Sequence, residues 1–466
     1  MSPTAAARLA FVALLAPGAR ADEATPQLGS WRAWLATPGG ELPFALEFAR
    51  GRASEPASSG TNSTTSTSST DAAWRATIGN GREAIAVDEV AIDAATATVT
   101  LDFPHYDSRI TATLRDAGTR LDGTYRRRRN ATEWVELPFH ATAGAAKRFS
   151  DALLQAPPPG TDREPLAREL AAAAARASGR FAVQFSASDD PAVALFEVAP
   201  DGSASGTFLT TTGDYRFLAG SLDRAWPGDD GLVGCCDDGL PHHFLRLSCF
   251  DGAHAFLFEA ELLEDGSLAG SFWSGDRWHE TWKARRDSTA ALPDGFTLSR
   301  ASGAAQLHEL PLRDLDGKVR HLGEAAFAGR AQLVVLFGSW CPNCHDACAE
   351  LKALQREFAP RGLALVGLAF EQTGDFARDA EQVRRYAKRH AIDWPLLLAG
   401  SADKAAATAT LGVLDRVRAY PTFLFVAADG TLRAVHTGFN GPATGAAHAA
   451  QHAAFVRTLE PLLAGG

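Results

Sequence analysis

The chain has 466 residues, of which 46% are hydrophobic and 21% are charged. This composition is ordinary for a globular protein, and at typical domain sizes the length allows about two to four domains. The formal net charge of −10 argues against nucleic acid as a partner.

The first residues have the pattern of a secretion signal. Arg8 supplies a positive charge, residues 9–16 are apolar, and Ala19-Arg20-Ala21 provides small residues for cleavage. We therefore expect a signal peptide over residues 1–21, cleaved near Ala21, and a periplasmic protein. The alternative is an Ala-rich, frayed start of a cytosolic protein. Export would permit disulfides, and a catalytic pair there would need its own electron supply.

Two regions, residues 22–147 and 179–287, contain short alternating apolar runs broken by turn residues, which is typical of β-strands. A hairpin phrase at residues 201–208 recurs at 265–272 and, more weakly, at 118–125. We predict two related antiparallel β units, each a sandwich or a small barrel. The Ser/Thr-rich tract at residues 53–73 has too little apolar content to order itself, so it is expected to be a disordered loop within the first unit.

Residues 148–178 are predicted to be a linker with a short helix, because residues 163–176 are rich in alanine. A second linker is expected at residues 288–302. Residues 303–466 then alternate between strand and helix patterns, with apolar runs at 333–337 and 363–370 and helical patterns at 344–358, 379–390 and 451–463. A hairpin at residues 423–435 precedes the last helix. The alternation predicts an α/β layer fold.

The phrase Trp340-Cys341-Pro342-Asn343-Cys344 lies where the first buried strand gives way to a helix. The N-terminus of a helix stabilises a thiolate through its unpaired N–H groups and its dipole. Two intervening residues bring the sulfurs within bonding reach across one turn. We expect Cys341 to be exposed and to attack a substrate disulfide, and Cys344 to resolve the mixed disulfide.

A second element is Tyr420-Pro421-Thr422 before a strand, where a proline is unusual unless its bond is cis or the strand begins there. Together with the Trp-Cys-Pro-x-Cys phrase and the Asp429-Gly430 hairpin, it resembles the thioredoxin superfamily, and in particular its TlpA/ResA-like periplasmic branch. The resemblance covers residues 303–466. It implies a thioredoxin fold, a thiol–disulfide oxidoreductase activity with Trp340 beside the pair, and a cis-proline at Pro421 that presents backbone to substrate.

The sequence departs from that family at two positions. The buried acid of thioredoxins is replaced by Val335, and the glutamate that many TlpA/ResA-like proteins carry after the second cysteine is replaced by Ala347. Both usual proton acceptors for the resolving thiol are therefore missing. Glu371, just after the second buried strand, could point toward the pair, or it could be an ordinary solvated acid at a strand end.

Several other residues leave alternatives open. His345 could tune Cys341 or be a half-exposed surface histidine. Cys348, one helical turn after Cys344, could be a small buried apolar residue or a backup resolving thiol. A cluster in the second β unit could form a disulfide from Cys249, remain unbonded or bind zinc; its members are Cys235, Cys236, His242, His243 and Cys249.

The leading prediction is an exported disulfide reductase that acts on secreted or periplasmic proteins and receives electrons from a membrane thiol-transfer protein. No cofactor and no metal are expected for it, and the β units are interpreted as a binding or dimerising platform. One alternative is a peroxiredoxin-like peroxidase, although the residues before Cys341 lack the usual Pro and Thr or Ser. A second is a non-enzymatic copper chaperone of the Sco type that uses Cys344, Cys348 and His436.

Overall fold

The structure is a computed structural model that describes residues 25–51, 73–144, 147–149, 162–225, 242–302, 307–324 and 327–464. The predicted signal peptide, most of the predicted Ser/Thr loop, and both Cys235 and Cys236 lie outside these residues. Within the described ranges, no helix combines the length and the apolar character needed to cross a membrane.

The first β unit is a single antiparallel sheet that curls without closing. It consists of β1 (Gly29–Thr37), β2 (Gly40–Gly51), β3 (Ala73–Asn80), β4 (Glu83–Ala86), β5 (Glu89–Asp93), β6 (Thr98–Phe103), β7 (Ser108–Arg115), β8 (Arg120–Arg128) and β9 (Trp134–Ala143). The order is β4-β3-β2-β1-β9-β8-β7-β6-β5, so the pairing of β1 with β9 joins its two halves and leaves β4 and β5 as edges. The sheet is thus a half-barrel around an aromatic core.

The second β unit is a closed barrel. It follows helix α1 (Arg163–Ala177) and consists of β10 (Gly179–Phe185), β11 (Ala192–Val198), β12 (Ser203–Thr210), β13 (Gly213–Asp214), β14 (Leu218–Ala225), β15 (His242–Phe250), β16 (Ala255–Leu262), β17 (Leu268–Ser274) and β18 (Trp278–Arg286). Eight strands pair in sequence order, and β18 pairs with β10 to close the ring, while β13 is a short addition to β12.

The recurring hairpin phrase has a structural basis in this barrel. Asp201 and Asp265 each accept a hydrogen bond from the backbone N–H two residues later, at 2.9 Å, and so fix the same kind of turn. The strands that follow carry Phe208 and Phe272 into the barrel, where both pack against Phe258 with ring centroids 4.5 Å and 4.3 Å away. Aromatic side chains therefore occupy the barrel interior.

The two β units share a core. Phe250 of β15 packs on Phe44 of the half-barrel with ring centroids 4.6 Å apart, and both side chains are fully buried. The guanidinium of Arg148 joins the units by donating to the Gly79 carbonyl oxygen at 3.2 Å and to the Ser248 carbonyl oxygen at 3.0 Å. The β units thus pack as one body rather than as separate modules.

The C-terminal domain has a seven-stranded mixed sheet with helices on it. Its elements are β19 (Leu312–Asp314), β20 (Val319–Arg320), β21 (Gln332–Phe337), α2 (Pro342–Phe358), β22 (Ala364–Glu371), α3 (Phe376–His390), β23 (Leu396–Ser401), α4 (Lys404–Leu411), β24 (Thr422–Val426), β25 (Leu432–Thr437) and α5 (Ala446–Ala464). The strand order is β20-β19-β23-β22-β21-β24-β25, with β21, β22 and β23 parallel. Central strand β21 is buried along its whole length, as its apolar run predicts.

The predicted fold class is confirmed: two antiparallel β units precede an α/β domain of thioredoxin type. The choice between sandwich and barrel, which spacing cannot make, is decided by the pairing of β18 with β10 in the second unit.

Candidate redox site

The site lies where β21 passes into α2, because the sequence ends the strand and begins the helix within a few residues. Cys341 is the N-cap of α2, and Pro342 takes the first helical position, where its fixed φ angle and missing N–H suit a helix start. The Cys341 sulfur accepts a hydrogen bond from the Cys344 backbone N–H at 3.3 Å. One of the unpaired donors of the helix is therefore aimed at this sulfur.

The two sulfurs of the motif lie side by side. The Cys344 Sγ is 2.6 Å from the Cys341 Sγ and donates to it. Burial, followed by the neighbouring Cys341, raises the pKa of the Cys344 thiol well above its usual range. Cys344 is thus held as the protonated partner of the pair, while the Cys341 sulfur accepts from Cys344 and donates to the Tyr420 backbone oxygen.

One expectation about the pair is wrong. Cys341 was expected to be exposed, but only 6% of its surface is accessible, and Cys344 is accessible to 1%. Cys341 belongs to the apolar core of the C-terminal domain, and the closed barrel also contacts the motif beside it. The side-chain amide of Asn343 donates to the Asp214 backbone oxygen at 3.3 Å. Sequence periodicity within one domain could not have revealed this packing of one domain on another.

Pro421 lies beside the pair. The Tyr420–Pro421 peptide bond is cis, and the Cys341 Sγ is 3.4 Å from the Tyr420 backbone oxygen. The Pro421 carbonyl oxygen accepts the Gly438 N–H at 3.0 Å. The backbone on either side of this bond therefore faces the first cysteine on one side and the turn after β25 on the other.

Trp340 forms one wall of the motif. Its indole N–H donates to the Phe370 carbonyl oxygen at 2.9 Å, and its ring meets that of Tyr420 edge-on with centroids 5.8 Å apart. The indole crosses directly over Gly338, where an added Cβ would lie 2.2 Å from the indole nitrogen. Glycine is therefore required two residues before Trp340.

Glu371, at the end of β22, is buried rather than solvated. Its Oε1 accepts the Ser339 backbone N–H at 2.8 Å and its Oε2 accepts the Ser339 hydroxyl at 2.7 Å. Burial raises the pKa of Glu371 to about 8. Glu371 thus contacts the turn that carries the redox pair, with Ser339 between the carboxyl group and Cys341.

His345 is also buried, so of its two alternatives the half-exposed surface histidine is wrong. Its Nε2 lies 2.7 Å from the Ser339 carbonyl oxygen, which can only accept, and its Nδ1 lies 2.6 Å from Nε2 of His390. Burial, and then the neighbouring His105 of the half-barrel, hold the pKa of His345 well below its usual range. The neutral ring therefore fixes the main chain of Ser339, two residues before Cys341.

Cys348 is a free, buried thiol one turn along α2. Its Sγ is 2.8 Å from the Tyr386 hydroxyl, which also donates to the Cys344 carbonyl oxygen at 2.9 Å. Burial raises the pKa of the Cys348 thiol to about 12.

Of the three alternatives for the cysteine and histidine cluster of the second β unit, Cys249 shows the unbonded one, because it is a free and fully buried thiol. The histidines of the cluster, His242 and His243, pair with Glu261 and Glu169. Cys235 and Cys236 lie outside the described residues.

The three ligands of the copper alternative are not brought together. His436 sits among aromatic rings, with centroids 4.8 Å from Phe296 and 4.9 Å from Phe455, and burial lowers its pKa to about 4. In the part of the chain that the structure describes, no group of three or more His, Cys, Asp or Glu side chains is arranged to hold a metal ion.

Sequence reasoning missed Arg216, which lies in the barrel yet reaches the redox motif. Its guanidinium donates to Asp346 Oδ2 at 2.6 Å and to the Pro342 carbonyl oxygen at 3.4 Å. Nothing near position 216 signals this contact, because Asp346 is 130 residues away in the chain. Burial, together with the nearby acids Asp214 and Glu83, raises the pKa of Asp346 to about 7 although Arg216 opposes the shift.

Comparison with known proteins finds matches for the C-terminal part of the chain. Residues 291–450 match the Redoxin family. The Thioredoxin-like protein YneN of Bacillus subtilis is 26% identical over 133 residues, which is 28% of this chain and 70% of that protein.

Two bacterial proteins of solved structure are similar to part of this chain. One is a thiol:disulfide interchange protein of the thioredoxin family from Chlorobium tepidum, with 22% identity and a TM-score of 0.25 over 34% of this chain and 98% of that one. The other is a thiol-disulfide oxidoreductase from Bacteroides fragilis, with 18% identity and a TM-score of 0.25 over 32% of this chain and 99% of that one.

The strand order of the C-terminal sheet and the family match agree with the resemblance drawn from the cysteine motif and the Tyr-Pro-Thr phrase. The C-terminal part of this chain therefore has a thioredoxin-type fold, and its match to the Redoxin family over residues 291–450 supports an oxidoreductase activity.

Proposed function

We propose that this chain is an exported disulfide reductase that acts on secreted or periplasmic proteins through Cys341 and Cys344. The observation that carries the proposal is the geometry of the pair: Cys341 caps α2, accepts the Cys344 N–H at 3.3 Å, and lies 2.6 Å from the Cys344 sulfur. A sulfur that accepts these hydrogen bonds at a helix start is suited to act as the nucleophile.

The reaction has two exchange steps. The Cys341 thiolate attacks one sulfur of a substrate disulfide, and the other substrate sulfur leaves as a thiolate and takes up a proton. Cys344 then loses its proton and attacks Cys341, which releases the second substrate thiol and leaves a Cys341–Cys344 disulfide. The substrate gains two electrons and two protons, and the protein loses them.

Pro421 and Trp340 would position the substrate in these steps. The Tyr420 backbone oxygen is 3.4 Å from the attacking sulfur, so a substrate chain that pairs with this backbone would bring its disulfide to Cys341. Trp340 packs edge-on against the Tyr420 ring and supports the same surface. Glu371 acts through Ser339, which makes it a positioning residue for the turn rather than a group that touches the sulfurs.

Net reduction, rather than oxidation, is the direction that we propose for the exchange. Turnover then needs a donor of two electrons to reopen the Cys341–Cys344 disulfide, and a membrane thiol-transfer protein is the proposed donor.

The test is reduction of insulin by the purified full chain with dithiothreitol as the electron source. Wild-type protein should accelerate precipitation of the insulin B chain, and Cys341→Ala should not. Cys249→Ala is the matched control, since Cys249 is equally buried but lies in the barrel. The reduction potential of the Cys341–Cys344 pair decides the direction: a value well above that of glutathione would contradict the reductase proposal and indicate an oxidase.

A further inference from the structure

A loop of the second β unit lies across the redox motif. This barrel loop, residues 211–216, connects β12 to β14 and includes the short strand β13. Gly213 approaches the motif so closely that an added Cβ would lie 2.1 Å from the Asn343 side-chain nitrogen. In addition, Asp214 Oδ1 accepts the Gly441 backbone N–H at 2.7 Å. The loop therefore rests on both the motif and the turn that follows β25.

The loop is anchored in the barrel as well as on the motif. The side chain of Tyr215 points into the barrel mouth, where its ring centroid is 5.2 Å from Phe272 and 5.4 Å from Phe258. The next residue, Arg216, has a φ angle of +59°, which is uncommon for a residue other than glycine. This turn sends Arg216 toward the C-terminal domain while Tyr215 stays in the barrel.

Arg216 ties three units of the chain together. It donates to Glu83 Oε1 of the half-barrel at 2.6 Å and to Asp346 Oδ2 of α2 at 2.6 Å, and its Nε forms an ion pair with Asp251 of the barrel at 3.0 Å. The guanidinium is 7% exposed, so water cannot replace a lost carboxylate without the cluster opening. The contacts of the barrel loop with α2 are therefore expected to form and break together.

A second and more exposed clamp lies near Tyr420. Arg418 forms an ion pair with Asp190 of the barrel, and Asp190 also accepts the Thr211 hydroxyl of the barrel loop at 2.8 Å. The Asp190 side chain is 40% exposed. The barrel thus holds the residues on both sides of Cys341, at Pro342 and Asn343 through the loop and just before Tyr420 through Asp190.

We propose that the barrel loop is an intramolecular cover over the redox pair, and that it must move away before a protein disulfide can reach Cys341; this inference rests on the proposed function. A substrate sulfur has to approach the Cys341 sulfur along the line of the breaking bond, and only 6% of Cys341 is accessible with the loop in place. The loop contacts Asn343, two residues after Cys341, and Gly441.

The test measures access to Cys341 directly, independently of turnover. The reduced full chain is treated with iodoacetamide or with a bulky polyethylene-glycol maleimide, and modification of the Cys341 peptide is followed by mass spectrometry. In Gly213→Ala the added methyl group displaces the Asn343 side-chain amide, which should break its hydrogen bond to the Asp214 backbone oxygen and loosen the loop from the motif. Because labelling by the bulky reagent proceeds through the open form, its rate should rise at least about fivefold.

The matched control is Gly266→Ala. Gly266 also has a positive φ angle in a barrel hairpin, but an added Cβ there meets nothing within 4 Å, so it introduces the backbone strain without the collision. Its Cys341 labelling rate should equal that of the wild type. Arg418→Gln, which removes the exposed clamp, is the second opening variant in case Gly213→Ala does not fold, and it should raise the rate in the same direction.

The outcomes separate the two proposals. Equal labelling rates in the wild type and a folded opening variant would overturn the cover, whatever the activity. The cover would also be overturned if Cys341 of the folded wild type reacted with the bulky reagent as fast as Cys341 of the wild type in urea does. If the opening variants label faster but neither they nor the wild type reduce insulin, the cover stands and the proposed function fails.

Discussion

Glu371 and Ser339 are joined by two hydrogen bonds inside the protein, one to the Ser339 backbone N–H and one to its hydroxyl, at 2.8 Å and 2.7 Å. The carboxyl group is 2% exposed, and no cation is among the partners that hydrogen-bond it. Burial therefore raises its pKa to about 8 from an ordinary value of 4.5. The turn before Cys341 thus rests on an acid that is neutral around neutral pH.

This relationship makes stability depend on pH in a defined direction. The folded state holds the Glu371 proton more tightly than the unfolded state does. The free energy of unfolding therefore falls as the pH rises from about 4.5 to about 8. Glu371→Gln keeps both contacts and cannot ionise. Between pH 6 and 9, the wild type should lose about 2 to 3 kcal/mol of unfolding free energy relative to this variant, measured by urea denaturation. The exposed Glu357→Gln is the control, and equal pH dependence in both variants would count against the buried-acid account.

Much of the C-terminal domain could be predicted because its signals are local. The apolar run of β21 predicts a strand that is buried on both faces. The cysteine motif that follows it predicts the position of the redox pair at the start of α2. The short strand β23 and helix α4 were missed, since Leu396–Ser401 is brief and α4 has only eight residues. Short elements carry too few periods to stand out from loops.

The parts of the site that escaped prediction depend on contacts between units. Whether Glu371 is buried or solvated depends on which segment of the protein packs over the end of β22. Whether His345 is exposed depends on Tyr106 of the half-barrel, whose ring centroid lies 4.5 Å from that of His345. Arg216 is the clearest case, because its partners lie 133, 35 and 130 residues away. Such partners leave no periodic pattern in the sequence.

The roles of the two motif cysteines can be separated by trapping. Cys344→Ser removes the thiol that would resolve a mixed disulfide, so this variant should accumulate substrate proteins bound through Cys341. Cys341→Ser should trap few partners, because the remaining Cys344 thiol is buried and its pKa is raised. Non-reducing gels followed by peptide mass spectrometry of extracts from cells that express each variant give the readout. Efficient trapping through Cys344 would reverse the assignment.

Cys348 should affect stability more than activity. Its sulfur packs on the Tyr386 hydroxyl, which keeps its hydrogen bond to the Cys344 carbonyl oxygen when Cys348 becomes alanine. Cys348→Ala should therefore lose roughly 1 kcal/mol of stability and keep most insulin reduction. The oxidised protein should contain a Cys341–Cys344 disulfide and a free Cys348 by peptide mapping. A dominant Cys344–Cys348 peptide, or an inactive Cys348→Ala protein, would indicate a relay of three cysteines.

The C-terminal domain should fold without the β units, and the segment before residue 303 should belong to its core. Phe296 packs on Phe425 and Phe455 with ring centroids 5.7 Å and 6.3 Å away, and the Arg300 backbone N–H donates to Asp415 at 2.8 Å. A fragment of residues 291–466 should therefore melt cooperatively, while a fragment of 303–466 loses these contacts. Partial burial of one phenylalanine contributes about 2 kcal/mol, which for this size corresponds to a melting temperature roughly 4 to 8 °C higher for the longer fragment.

Phe296→Ala in the longer fragment is the matched control and should reproduce most of the loss seen on shortening. Because neither fragment contains the barrel loop, Cys341 in the folded fragment should react with a bulky maleimide faster than in the full chain. Equal melting temperatures for the two fragments would place the domain start at residue 303. An unfolded fragment would contradict independent folding, and a folded fragment that cannot reduce insulin although the full chain can would mean that the β units complete the redox site rather than cover it.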